Sequence, residues 1–138
     1  MRNTDEEVPM LARCLALAAA LLFAPALSLA DDNAETKIAL QASMQRHIER
    51  NLVDGAFMIV DYANGQLRKV FPAKAHSMIL VGDGFYVMCA DVRDEDGKTV
   101  PVDYYLIETQ RGFRVVRTEI ANRAPLQAMM QDGKVRRF

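Results

Sequence analysis

FYVMCADVRDEDGKTVPVDYYLIET, residues 85–109, decides how this chain is read. Apolar and polar residues alternate on either side of an acidic segment, DEDGK (94–98). That segment is either a cation-binding loop or a tight turn between two strands. A calcium loop of the EF-hand kind needs oxygen ligands at its positions 1, 3 and 5, glycine at 6 and a bidentate glutamate at 12. With Gly97 as the glycine, Asp94 and Asp96 fit, but Val92 takes the first position and Asp103 the last, inside a strand pattern. No metal site is expected. Asp96-Gly97 reads instead as a two-residue turn of the primed type. This sets a register: Arg93 opposite Val100, Asp91 opposite Val102, Cys89 opposite Tyr104, Val87 opposite Leu106.

Working outward, QRG (110–112) is a three-residue loop with Gly112 in a left-handed bulge position, returning the chain into FRVVRTEI (113–120). Leu106 then faces Val116, Tyr104 faces Thr118 and Val102 faces Ile120. Side chains alternate along a strand, so one face is expected to carry Val87, Cys89, Val102, Tyr104, Leu106, Val116 and Ile120. This is the predicted core face. The second face is expected to carry Tyr86, Met88, Ala90, Val92, Asp103, Tyr105, Ile107, Phe113, Val115, Arg117 and Glu119. About half of that set is apolar, more than a solvated face needs.

Before the meander, DDNAETKIALQASMQRHIERNLVDG (31–55) reads as a helix. Asp32 and Glu35 have capping-box spacing, and Leu40, Met44, Ile48 and Leu52 form one apolar stripe. AFMIVDY (56–62), the turn Asn64-Gly65, QLRKVF (66–71), a break at Pro72 and AHSMILV (75–81) complete the strands. APLQAMMQ (124–131) reads as a short helix, and the basic end KVRRF (134–138) as a solvated tail. The fold class is therefore α+β: one long N-terminal helix on a curved antiparallel sheet of four to five strands, with a short C-terminal helix.

The first thirty residues read as a signal peptide. MLARCLALAAALLFAPALSLA (10–30) has Arg13, an apolar run, and small residues before a cleavage site after Ala30. The acidic start MRNTDEEVP does not suit such a segment, so translation from Met10 is an alternative. Arg13 directly before Cys14 argues against a lipoprotein, and an uncleaved anchor is the rival reading. Residues 31–138 form a single domain. Setting aside Arg2, Arg13, Asp5, Glu6 and Glu7 leaves 15 basic and 15 acidic residues. That balance offers no global field for nucleic acid or anionic membrane. Cys89 alone remains, so no internal disulfide is expected and Cys89 is either buried or available between chains. The location is periplasmic or secreted.

Few residues have the spacing of known chemistry. His47, His76 and Cys89 make no zinc pattern. His76 and Cys89 could meet across the sheet as base and nucleophile, but no elbow or glycine-lined oxyanion site accompanies them. No phosphate loop, dinucleotide fingerprint or haem-attachment pair is present, and no cofactor is expected.

The stretch DGKTVPVDYYLIETQRGFRVVRTEI (96–120) resembles a hairpin, G-x-x-V-x-V-x-Y-x-L … G-[WF]-x-V-x-x-x-x-I, of exported cystatin-like and nuclear-transport-factor-like α+β rolls. Periplasmic phospholipid carriers have a similar run. The resemblance implies an α+β roll. Such families include carriers, protease inhibitors and isomerases, and the matching residues here belong to the strand pattern.

Together these readings predict an exported, non-enzymatic binding or accessory module acting through the second sheet face. Tyr86, Met88, Asp103, Tyr105, Ile107, Val115, Arg117 and Glu119 are the candidate binding residues, with no catalytic residue assigned. Arg117 is expected to neutralise both Asp103 and Glu119. A homodimer or an envelope protein is the expected partner, with a small apolar ligand as a further option. The alternatives are a small-ligand carrier or acid–base enzyme using Asp103, Glu119 and Tyr105, and an inhibitor or accessory subunit of an envelope protein.

Overall fold

The computed structural model describes residues 32–138. The expected signal peptide, with Cys14 and the cleavage site after Ala30, lies outside the described residues. The elements in chain order are α1 (Asp32–Asn51), β1 (Phe57–Asp61), β2 (Gln66–Val81), β3 (Tyr86–Asp94), β4 (Thr99–Thr109), β5 (Gly112–Ile120), α2 (Ala124–Gln131) and β6 (Arg136–Arg137). The strands form one antiparallel sheet in the order β1-β2-β3-β4-β5, with β6 paired to the far end of β2. This is the α+β layout predicted from the sequence. Among the described residues no helix is long and apolar enough to cross a membrane.

The 20 residues of α1 make a helix of about 30 Å. Its stripe is the one the sequence spacing implies: Leu40, Met44 and Ile48 are buried and Leu52 packs beside them. Burying a side chain of this size stabilises a fold by about 1.5–3 kcal/mol. The helix lies near β5. Ser43 Oγ donates to the Phe113 carbonyl at 2.7 Å, and His47 Nε2 sits 3.2 Å from Thr118 Oγ1. Asn51 Nδ2 donates to the His47 carbonyl at 2.7 Å, closing the last turn. A tight turn follows, with Asp54 and Gly55 both at positive φ (51° and 81°). Val53 and Ala56 exchange backbone bonds of 2.8 and 3.1 Å across it. This Asp-Gly pair has the primed geometry.

The Asp96-Gly97 pair does not. Arg93 is paired with Thr99, Asp91 with Pro101, Cys89 with Asp103 and Val87 with Tyr105, one residue away from the sequence-based register. The cause is Asp94. Its Oδ1 accepts the backbone N–H of Asp96 (3.1 Å) and of Lys98 (2.8 Å), while Gly97 N–H donates to the Asp94 carbonyl at 3.0 Å. Aspartate at the first position and a left-handed glycine at the fourth make a type I turn with a bulge, so the loop holds three residues rather than two.

The second hairpin differs in the opposite sense. Thr109 pairs with Gly112, leaving a two-residue loop, and Leu106 pairs with Val115 rather than Val116. A bulge between Tyr105 and Leu106 then restores the expected pairs Tyr104–Thr118 and Val102–Ile120. At Asn64-Gly65 the loop runs over four residues, Tyr62–Gly65, between the paired Asp61 and Gln66. Asp61 organises it by accepting from Ala63 N–H (3.0 Å) and Asn64 Nδ2 (2.9 Å).

Two further expectations change. Pro72 does not break the chain into two strands, because β2 runs through it from Gln66 to Val81 with register shifts after Pro72 and after Ala75. Pro72 lies past Val70, the last β2 residue paired with β1, so it stands where β2 has only β3 beside it, opposite Val92 and next to a register shift. The basic end is not a free tail either. Val135 is buried, Arg136 and Arg137 pair with Val81 and Leu80, and Phe138 N–H donates to the Ile79 carbonyl at 3.0 Å.

The register changes redistribute the faces. Toward α1 the core holds Phe57, Val70, Ile79, Met88, Ala90, Val92, Val102, Tyr104, Leu106 and Val115, with Tyr86, Phe113 and Ile120 packed against it. The other face holds a smaller cluster, Leu80, Val87, Cys89, Leu126 and Val135, with Met78, Phe85, Tyr105 and Met129 alongside. Val102, Tyr104, Leu106 and Ile120 are therefore on the face expected of them. Val87 and Cys89 are on the opposite one, and Val116 is 55 % exposed.

Candidate functional site

Three of the candidate binding residues do not lie on the second face. Tyr86, Met88 and Val115 pack toward α1, because the three-residue turn at Asp94 reverses β3 and the bulge at Val116 reverses the start of β5. Asp103, Tyr105, Ile107, Arg117 and Glu119 remain together on the second face, with Asp103 opposite Glu119 and Tyr105 opposite Arg117.

Asp103 is 1 % exposed. A buried carboxylate needs partners, and the main one is Arg123, a residue the sequence patterns do not single out. Arg123 Nη2 donates to Oδ1 at 2.8 Å and Nε to Oδ2 at 3.3 Å. Arg123 is the N-cap residue of α2, so this pair fastens the helix that covers Leu80, Val87 and Cys89. Arg117 does not bridge both carboxylates as expected. Its Nε donates to Glu119 Oε1, and Asn122 Nδ2 donates to Glu119 Oε2 at 3.1 Å. These donors, Arg117 first, hold the Glu119 carboxyl below the usual range.

Cys89 lies directly across from Asp103 and is 2 % exposed. Burial, and then the neighbouring Asp103 carboxylate, push the Cys89 thiol up to about 12. A thiol so far from ionisation is not a nucleophile at neutral pH. His76 is not its base, since His76 Nε2 bonds Asp91 Oδ2 at 2.9 Å. The Tyr105 hydroxyl is buried and has no hydrogen-bond partner among the described residues. Burial, then the charges of Asp103 and Glu119, raise its pKa. Among the described residues no group of three or more His, Cys, Asp and Glu side chains is placed to hold a metal ion.

The accessible apolar part of the second face is elsewhere, on the β1–β2 hairpin. Phe57 and Val70 pair toward α1, so the next pairs alternate and Val60–Leu67 turns to the second face. Val60 is 53 % and Leu67 62 % exposed, and Phe71 on the same side of β2 is 40 % exposed. The alternation in AFMIVDY carried this signal, since Phe57 and Ile59 are the inward set and Met58 and Val60 the outward one. No protein-family model, no curated protein and no solved structure matches the chain.

Proposed function

We propose that the domain is an exported, non-catalytic binding module that works through its second sheet face, and that the contact is made by a second copy of the chain seated on the β1–β2 hairpin. The observation that carries this reading is the Val60–Leu67 pair, two large apolar side chains directly opposite each other and more than half exposed. Contiguous apolar surface of this kind marks an interaction site. A two-fold axis through such a strip sets apolar against apolar with no need for a differently charged partner, and isologous dimers are the commonest assembly.

The catalytic alternative has less support. The carboxylates it would use are held internally, Asp103 by Arg123 and Glu119 by Arg117 and Asn122. The middle of the space between α1 and the sheet is filled by Leu40, Met44, Ile48, Val92, Tyr104 and Leu106, and the hollows of about 280 and 550 Å³ left along its β2–β3 side are open clefts rather than an enclosed ligand cavity. A charge at Val115, suggested by the sequence-based register, would strike the core and unfold the domain. Leu67 is the informative position.

Light scattering coupled to gel filtration tests the proposal. The protein is expected to run at twice its chain mass, and Leu67→Lys at the single-chain mass with an unchanged circular dichroism spectrum. A monomeric mass for the parent at all concentrations, or a dimer unaffected by Leu67→Lys, refutes it and returns the strip to an envelope-protein partner.

A further inference from the structure

Ten arginines lie in the described residues, and they divide by what they touch. Arg68, Arg117 and Arg123 reach carboxylates, and Arg93 donates to the Gly97 carbonyl at 3.1 Å. Six have neither an ion pair nor a side-chain hydrogen bond among the described residues: Arg136 and Arg137, which pair with β2 through their backbones, and a second group, Arg46, Arg50, Arg111 and Arg114. These four are not scattered. Arg46 and Arg50 are four residues apart on α1, hence on one side of it. Arg111 is in the β4–β5 loop and Arg114 on β5.

Two adjoining hollows, of about 340 and 830 Å³, share Arg46, Arg50, Phe113 and Arg114 as lining. His47 and Asn51 line the smaller and Arg111 the larger. No aspartate or glutamate lines either one. Glu108, although paired with Phe113, is outside both, and Glu49 takes a hydrogen bond from Gln45 Nε2 at 2.9 Å. The rigid parts of the fold hold the cations in place. Ser43 binds the Phe113 carbonyl, and Thr109 Oγ1 donates to the Gly112 carbonyl at 2.6 Å, fixing the loop that carries Arg111.

We propose that the hollow between α1 and the β4–β5 hairpin is an anion site that takes a phosphate-bearing group. A guanidinium presents planar donor pairs that match phosphate oxygens and stays charged at any working pH. Arg46, Arg50 and Arg111 share one concavity, with Arg114 at its rim on the edge strand β5, and with no carboxylate to neutralise them they repel one another until an anion enters. A chain whose acidic and basic residues balance has no overall charge that would put them there. The half-buried His47 already registers this field. Burial first, and then the Arg50 charge, hold its pKa below 6.5. The groups packed against it are Arg46, Arg50 and Asn51 on α1, Thr118 on β5 and the Tyr104 ring edge on β4. Phosphate chemistry of this kind is offered both by free phosphates and by the headgroups of anionic lipids.

The test uses protein purified after expression of the full chain. Pyrophosphate is titrated while the His47 ring and the arginine Nε–H signals are followed by NMR. Vesicles of phosphatidylglycerol and of phosphatidylcholine are offered in a sedimentation assay. Saturable binding of pyrophosphate, raising the His47 pKa and weakened at least tenfold in Arg46→Gln/Arg50→Gln but unchanged in Arg93→Gln, supports a free phosphate source. Sedimentation with phosphatidylglycerol only, lost in the same double variant, supports a headgroup source. The proposal is overturned if neither probe binds, if the double variant binds as the parent does, or if both vesicle types sediment the protein equally. A second variant, Arg114→Gln, guards against a helix effect of the first.

Discussion

Arg123→Met is the substitution that most directly probes what holds the second face together. It removes the ion-pair and hydrogen-bond partner of a carboxylate that is 1 % exposed. Removing one member of a buried pair costs about 3–5 kcal/mol, because the charge that stays behind is uncompensated. The reciprocal change is milder. The Arg123 side chain is 32 % exposed and can turn to water when Asp103 is gone, so Asp103→Val should cost only about 1–2 kcal/mol, the scale of a lost hydrogen bond. Replacing both members removes the buried charge altogether, and apolar replacements of whole pairs are often neutral. The double variant is therefore expected to be more stable than Arg123→Met alone. The chain has no tryptophan, so urea unfolding is followed by far-ultraviolet circular dichroism. With a slope of about 1–3 kcal/mol per molar, the single variant should shift the midpoint by about 2 M. A shift below about 0.5 M, or a double variant as unstable as the sum of the two singles, would refute the argument.

Two other expectations follow from the structure. Val115 is 8 % and Val116 55 % exposed, so Val115→Asp should abolish cooperative unfolding while Val116→Asp stays within about 0.5 kcal/mol of the parent, the usual range for surface changes; equal effects would contradict the bulge. His47, held below its ordinary value of 6.5 by burial and by Arg50, binds fewer protons folded than unfolded. Its contribution to stability is complete above pH 6.5 and is lost as pH falls toward the folded pKa. The unfolding midpoint should therefore drop between pH 7 and pH 5 in the parent and drop less in His47→Gln; identical slopes would show that another group is responsible.

The α1 stripe was legible because one face of that helix is buried and the other is not: Leu40, Met44 and Ile48 stand apart from Gln41, Gln45 and Glu49. The strands were legible by the same alternation. Register was not, and β3 shows why. Its first half is apolar on both sides, Tyr86-Met88-Ala90 and Val87-Cys89, since α1 covers one and α2 the other, and only Asp91 and Arg93 near its end mark a polar side. A pattern that suits either face cannot correct a misread turn. The turn itself depended on a side chain outside the Asp-Gly pair, the Asp94 carboxylate, while the primed geometry went to Asp54-Gly55. Val115 and Val116 are chemically identical, so nothing local marks which one the bulge expels. The Asp103–Arg123 bond joins residues that no periodicity links, and the four arginines come from two elements that meet only in the fold.

The geometry of cover explains where free surface remains. Eight residues of α2 reach about 12 Å, whereas five strands at about 4.8 Å spacing span about 19 Å. The helix is tied down at β4 through Asp103 and packs over Leu80 of β2 and Val87 and Cys89 of β3. It cannot also reach β1, and Val60 and Leu67 are left uncovered for that reason. On the other side α1 is long enough, but its stripe is narrow, and the polar flank that carries Arg46 and Arg50 is turned to the β5 edge. The apolar strip and the cationic hollow thus arise at opposite margins of one sheet, from two different limits of the same two-helix cover, and they share no residue.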